Sequence, residues 1–211
     1  MKIIELFPSI QGESSLQGLP CVFVRLSGCN LNCSYCDTRY ARGGGTEMTV
    51  DEIVGKVMEY AIPFVCITGG EPLLQKETPE LAGELLKHGC RVSVETNGTI
   101  NLSALSRGVI RIIDIKCPGS GEHGKVHPGV LLRKRLSDEF KFVLVDRGDF
   151  EFARDYVREH GLTDKNTVLF SPAGNTLLPA VLAEWLINEI PEVRLNLQIH
   201  RCIWPNEPRG R

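Results

Sequence analysis

The amino-acid sequence predicts an α/β fold with a mainly parallel sheet, on three observations. Short, nearly all-apolar runs such as Phe64-Val65-Cys66-Ile67-Thr68 and Val109-Ile110-Arg111-Ile112-Ile113-Asp114-Ile115 read as strands buried on both faces. They alternate with stretches in which apolar residues recur at helical spacing, which implies right-handed crossovers. Polar or glycine-rich groups follow the strands, at the ends where open sheets and barrels both place their sites. About six strand–helix units fit, fewer than the eight of a closed barrel.

In chain order, residues 3–20 read as a strand and a loop ending in Gly-Leu-Pro, and Cys21–Leu26 as a strand rich in β-formers. Thr49 with Glu52 has the form of a capping box, opening a helix near 50–61. The strand at 64–68 runs into Gly69-Gly70-Glu71-Pro72, and a helix near 78–88 is closed by Gly89. Strands at 91–95 and 109–115 flank a short helix near 102–107. Beyond them come helix 129–136, strand 140–145, helix 149–160, strand 167–170, helix 178–189 and strand 193–199. No repeat or low-complexity linker interrupts the pattern, so residues 1–211 are expected to form a single domain.

A formal charge of -2 gives no basic field for nucleic acid, and a small, neutral-to-anionic substrate is expected instead. No apolar run is long enough to span a membrane or serve as a signal, so the expected location is cytoplasmic. Eight cysteines in such a chain point to metal binding or catalysis for those that cluster. Cys21, Cys66 and Cys90 sit in or beside apolar runs and read as small core hydrophobes.

The cluster is Cys29-Asn30-Leu31-Asn32-Cys33-Ser34-Tyr35-Cys36, three thiols where closed zinc and ferredoxin sites take four ligands. The nearest histidine, His88, is far along the chain. A 4Fe-4S cluster with three protein thiolates and one open iron explains the spacing best. One strand–helix unit later, Gly69-Gly70-Glu71 could be an ordinary turn. It could equally let a ligand approach the backbone closely while Glu71 balances an ammonium.

The C-x3-C-x2-C trio with Tyr35 before its last thiol, followed by Thr68-Gly69-Gly70-Glu71-Pro72, resembles radical S-adenosylmethionine (SAM) enzymes. Further segments narrow the resemblance: Phe7–Glu13, Val24–Leu31, Cys36-Asp37-Thr38, Glu95–Gly98, Asp114–Gly121 and Gln198–Arg201 with Trp204. Together, over about residues 5–205, they are similar to the 7-carboxy-7-deazaguanine synthase family of the queuosine and 7-deazapurine pathway. The resemblance implies an abbreviated, incomplete (βα)6-type TIM-like barrel. It also implies the ring contraction of 6-carboxy-5,6,7,8-tetrahydropterin with loss of ammonia, with SAM regenerated, a 4Fe-4S cluster, Mg2+, a flavodoxin- or ferredoxin-type electron donor and a homodimer.

It further implies site residues. Cys29, Cys33 and Cys36 would hold the cluster and Thr38 the Mg2+, although Thr38 by itself reads as a turn residue. SAM would be bound by Tyr35, Asp37, Gly69, Gly70, Glu71, Ser93, Lys116, Cys117 and the Ser171-Pro172-Ala173-Gly174 loop. The family commonly has Ser where Cys117 stands. The pterin would meet Ile10, Gln11, Gly12, Glu13, Arg25, Thr68, Glu95, Asn97 and His200. Arg25, mid-strand among apolar residues, needs an anion, either the substrate carboxylate or a structural partner. Thr68 could instead cap its loop, and His200 could be a structural residue at the end of a strand. Some members carry their terminal carboxylate into the site, but here Pro205–Arg211 continues past the His motif and no contact is assigned to it. Two other readings remain open from the residues alone: an activase acting on a partner protein, and a non-enzymatic iron–sulfur or zinc sensor.

Overall fold

The computed structural model describes residues 1–174, 176–205 and 210. One nine-stranded sheet runs in the order β3-β1-β2-β4-β5-β6-β7-β8-β9, so β3 and β9 are its two edges and it does not close. Strands β2 (Pro20–Leu26), β4 (Phe64–Gly69), β5 (Arg91–Thr96), β6 (Ile110–Lys116), β7 (Glu139–Leu144), β8 (Thr167–Pro172) and β9 (Arg194–Leu195) are mutually parallel. At the other edge β1 (Lys2–Ile10) pairs antiparallel with β2 and with the two-residue β3 (Thr46–Glu47). Pro8 is tolerated in β1 because β3 reaches only Lys2 and Ile3, leaving that side of the strand unpaired at Pro8.

Helices α1 (Val50–Glu59), α2 (Thr78–Lys87), α4 (Arg147–Glu159) and α5 (Pro179–Glu189) cover the outer face. The expected capping box is formed: Thr49 and Glu52 exchange side-chain-to-backbone hydrogen bonds at the start of α1. Alternation sends Val22, Val24, Val65, Ile67, Val92 and Val94 outward onto Ile53, Val57, Leu81 and Leu85 of α1 and α2. A second outer core joins Ile113, Ile115, Phe140, Phe142 and Phe170 to Phe150, Val157, Leu182 and Leu186. The inner face carries a small apolar plug, Cys21, Phe23, Phe64 and Cys66, and above it the polar residues of the site.

The sequence expectation departs from the fold chiefly at the C-terminus. A strand over 193–199 is expected, but β9 ends at Leu195, and Ile199–Ile203 form a short helix, α6. Asn196 ends the strand by turning inward, its amide donating to the Ser171 hydroxyl at 2.8 Å. The helix expected at 102–107 is one 3-10 turn, Leu102–Ala104, and the helix expected at 129–136 is only α3, Pro128–Leu132. Most of the tail after Pro205 lies outside the described residues.

Candidate active site

The trio loop is placed by its neighbours in the sheet. Leu26 at the end of β2 is in register with Gly69 of β4, so the loops after the two strands lie side by side. Glu71 N–H donates to the Gly28 carbonyl at 2.7 Å, tying the glycine loop to the trio. A Cβ on Gly70 would fall 2.2 Å from the Gly28 carbonyl oxygen and 2.6 Å from Cys29 Cβ, so glycine is required by the contact. Gly70→Ala is accordingly expected to push Cys29 aside and to cut iron loading severalfold, as measured by iron content per chain.

The loops after β5 and β6 hold the trio's other side. Asn97 donates to Asn30 at 3.0 Å, and Asn30 to Thr99 at 2.8 Å. Glu122 accepts from Asn32 N–H at 2.7 Å, while Ser34 donates to the Gly119 carbonyl and its N–H to that of Ser120. The motifs at 95–98 and 114–121 therefore act partly as a cradle for the cysteine loop.

Cys29, Cys33 and Cys36 line one cavity of about 230 Å3 that is also lined from the ends of β1, β2, β4, β5, β6, β7 and β8. Burial pushes the Cys29 and Cys33 thiols up, against the pull of Lys116, so their thiolates need a cationic centre. Among the described residues no three Cys, His, Asp or Glu side chains gather closely enough for a single metal ion. Three thiols spread along one wall suit a cluster of several irons better than one ion. Two buried groups beside them lack a partner: Arg42 Nε and Nη2, and Asp114 Oδ1. Arg42 Nε and Nη2 can take the carboxylate of a ligand, while Asp114, whose Oδ2 already holds Lys116, keeps only Oδ1 open; that suits the amino-acid end of SAM.

Of the expected SAM residues, Tyr35, Asp37, Gly69, Gly70, Lys116, Ser171, Pro172, Ala173 and Gly174 line the cavity. Glu71, Ser93 and Cys117 do not, and each has a physical reason. The Glu71 carboxylate is fully buried and already accepts from Leu73 N–H at 3.0 Å, the Thr96 hydroxyl at 2.9 Å and Asn97 N–H at 2.7 Å. It braces the two loops instead of balancing an ammonium; burial keeps its pKa above the usual range despite these donors. Ser93 is one pleat below Glu95, buried beneath the cavity. Cys117 packs in the outer core with Phe142 and Phe150, and burial pushes its thiol up.

The expected pterin residues Ile10, Gln11, Gly12, Glu13, Arg25, Thr68, Glu95, Asn97 and His200 all line the cavity. Their contacts refine the expectation. Arg25 Nε is held by Glu5 at 2.6 Å, the structural partner that was one of its two options, which leaves its terminal amino groups for a second anion. Glu13 is not free: Oε2 is 2.5 Å from Lys141 Nζ and Oε1 accepts from Gln198 at 2.6 Å. Burial works against the Glu13 carboxylate, but Lys141 and Gln198 outweigh it and hold its pKa below the usual range. Glu95 is only loosely engaged, by Thr68 at 3.3 Å, Gln11 at 3.4 Å and the Cys66 thiol at 3.6 Å, and so keeps acceptor capacity.

His200 stands on α6, not on a strand, and its ring closes over Gly12, where a Cβ would be 2.0 Å from Nδ1. Burial lowers its pKa even with Glu13 and Asp37 nearby, which keeps the imidazole neutral at pH 7. Thr38 donates to Asp37 at 2.8 Å, so the two present hard oxygens side by side. They can hold a Mg2+ only together with waters or substrate oxygens.

Sequence reasoning missed Lys141, Asp114, Arg42, Gln198 and Arg201 as cavity residues. Lys141 lies 3.7 Å from Asp114, whose other cation is Lys116 at 2.9 Å. Lys116 also stands over the Tyr35 ring, 5.8 Å from its centroid. A signal was present for the pair: Asp114 and Lys141 are each flanked by apolar residues inside a strand, and such charges need partners.

Comparison with known proteins agrees with this geometry. Residues 23–115 match the Radical SAM superfamily. The chain is 43% identical to a 7-carboxy-7-deazaguanine synthase of Koribacter versatilis, covering all of both chains. It is also 43% identical to one of Chlorobaculum tepidum, over 100% of this chain and 97% of the relative. The fold matches the crystal structure of QueE from Escherichia coli with a TM-score of 0.78, at 21% identity over 93% of each chain. With the trio, the glycine loop and the cavity they share, these relatives show that the chain belongs to the 7-carboxy-7-deazaguanine synthase family of radical SAM enzymes.

Proposed function

We propose that the cavity converts 6-carboxy-5,6,7,8-tetrahydropterin to 7-carboxy-7-deazaguanine with release of ammonia, using SAM as a regenerated cofactor. The observation that carries this reading is one cavity that gathers three thiols and the unpartnered Arg42 nitrogens together with the Glu95, Glu13, Lys141 and Arg25 groups. Cys29, Cys33 and Cys36 would hold the 4Fe-4S cluster, and Gly69, Gly70, Arg42, Lys116 and the 171–174 loop would bind SAM. When bound, these groups supply the one-electron chemistry that removes a hydrogen atom from the substrate.

The chain's own residues would orient that substrate. Glu95 accepts from the N–H groups of the aminopyrimidinone, and Gln11 supplies a neutral amide beside it. The terminal amino groups of Arg25 meet the substrate carboxylate, with Glu5 and the Phe7 and Tyr40 rings holding the guanidinium still. Neutral His200 caps the pocket over Gly12. Phe23, Leu31, Ile112 and Val143 exclude water from the reacting atoms. Mg2+ would sit at Thr38 and Asp37 and be completed by substrate oxygens, giving it an orienting role.

Anaerobic incubation of cluster-reconstituted protein with the carboxypterin, SAM and a one-electron reductant is expected to yield a product whose mass is that of the deazaguanine acid. A product retaining all four ring nitrogens of the pterin, or no product at all, would sink the assignment. A flavodoxin or ferredoxin is the proposed physiological donor. Leu178 and Ile187 of the α5 region and Ile203 of α6 leave apolar surface exposed, consistent with a homodimer, and analytical ultracentrifugation is expected to give twice the 23.4 kDa chain mass. No described helix is long and apolar enough to cross a membrane, and all eight thiols are free, which favours a reducing, cytoplasmic setting.

A further inference from the structure

A second concavity, of about 550 Å3, lies outside the cysteine-lined cavity, running from Asn101 in the loop after β5 to the arginines near the start of β6 and β7. Four guanidiniums line it: Arg107 from the loop before β6, Arg111 from β6, and Arg133 and Arg135 from the segment between α3 and β7. The accompanying carboxylate, Asp138, is buried and already spent. It pairs with Arg111, from Nε at 2.6 Å and from Nη2, and accepts from Arg135 N–H at 2.6 Å. Asn101 and Ser137 add neutral polar groups to the wall.

The cluster is built rather than accidental. Arg111 is 2% exposed, and Arg135 is fixed by donating to the Leu105 and Ser106 carbonyls at 2.7 and 2.8 Å. Arg107 and Arg133 are exposed and make no salt bridge among the described residues. Burial, then Arg111 and Arg107, lower the pKa of Arg135, with Asp138 opposing, as expected for cations gathered with too few anions. Folding such charges together costs energy that a bound anion returns, and guanidinium forks match phosphate oxygens.

The size of the concavity falls in the range of small-ligand sites. An acidic electron donor is a poorer occupant, because the seven residues of β6 put about 20 Å between this end of the sheet and the cysteine loops. A long polyanion is a poorer one too, since the net charge of -2 supplies no wider basic field. We propose that the arginine pocket is a binding site for a small di- or triphosphate, separate from the cysteine-lined cavity.

Calorimetric titration of the cluster-reconstituted protein tests this, with SAM at saturation, low chloride, and inorganic pyrophosphate or magnesium-free ATP as probe. Saturable one-to-one binding is expected, weakened about a hundredfold in Arg107→Gln/Arg133→Gln, each lost charge-assisted contact being worth about a factor of ten. Both positions are exposed, and circular dichroism checks that the variant folds. Lys56→Gln, on an exposed lysine of α1, should bind as the parent does. The proposal is overturned if neither probe binds at millimolar concentration, if SAM competes with the probe, or if the double variant binds unchanged. Tighter retention of transfer RNA than of either probe would also overturn it.

Discussion

Cys33→Ala is expected to lose its iron and its turnover together while keeping its fold. Cys33 lies at the cavity wall, 7% exposed, in a loop whose position is set by hydrogen bonds from Asn30, Asn32 and Ser34 rather than by its own side chain. Truncation to alanine removes one sulfur and leaves those anchors in place. Two thiolates cannot retain a cluster that already has one iron free of protein ligands. Product formation should fall at least a thousandfold, about 4 kcal/mol of barrier, with iron and sulfide per chain and visible absorbance falling in parallel. A folded variant that still carries four irons and turns over would remove the trio from the mechanism.

Lys141→Met should have the next largest effect, on stability as well as activity. The ammonium stands between Glu13 and Asp114, buried on β7. A methionine of similar length leaves the buried Glu13 carboxylate without a cation and Asp114 with Lys116 alone. Removing one partner of a buried pair costs about 3–5 kcal/mol, and the Glu13 loop, freed from β7, would also shift Gln11 and Gly12 at the pterin end of the cavity. Turnover should drop at least about a hundredfold, the scale of misplacing a positioning group, and Lys141→Arg should recover part of it.

The pH dependence separates this role from simple packing. Glu13 titrates below its ordinary 4.5 in the fold, so its stabilisation is complete above that value and is lost as pH falls through the folded pKa. For Lys141, burial opposes the charge, but Glu13 and Asp114 outweigh it and raise the pKa well above 10.5. Its contribution is present below 10.5 and is lost only as pH rises through the higher folded value. Glu13 and Lys141 therefore leave the melting temperature level across neutral pH and give a loss below about pH 4.5, in addition to the loss below about pH 6.5 that the buried, neutral His200 brings. Lys141→Met should show a shallower acid loss because the Glu13 pKa is no longer depressed by the lysine. An acid limb unchanged by the substitution would contradict the pairing.

These expectations rest on two kinds of information. Local chemistry was legible in the chain: the trio, the glycine loop, the alternation of apolar strands with amphipathic helices and the Thr49–Glu52 cap depend on residues close in sequence, where spacing carries the geometry. Most cavity residues were named through the family resemblance; that they meet is explained by parallel strands bringing their C-terminal ends to one side of the sheet. The C-terminal reading failed because Val193–Ile199 alternates apolar and polar residues as a strand does, yet the strand ends at Leu195, where Asn196 turns inward to Ser171.

What only the tertiary structure decided was pairing. Glu71 and Glu95 are both carboxylates at strand ends, but one is consumed by three donors across two loops while the other keeps capacity for a ligand. Lys141 becomes a site residue through contact with Glu13, 128 positions away. The sequence alone determined that three thiols and a glycine loop would meet at the ends of parallel strands, because alternation and strand order suffice for that. Which charges are free to act is a matter of who stands opposite whom across the sheet, and that is settled by long-range register and burial.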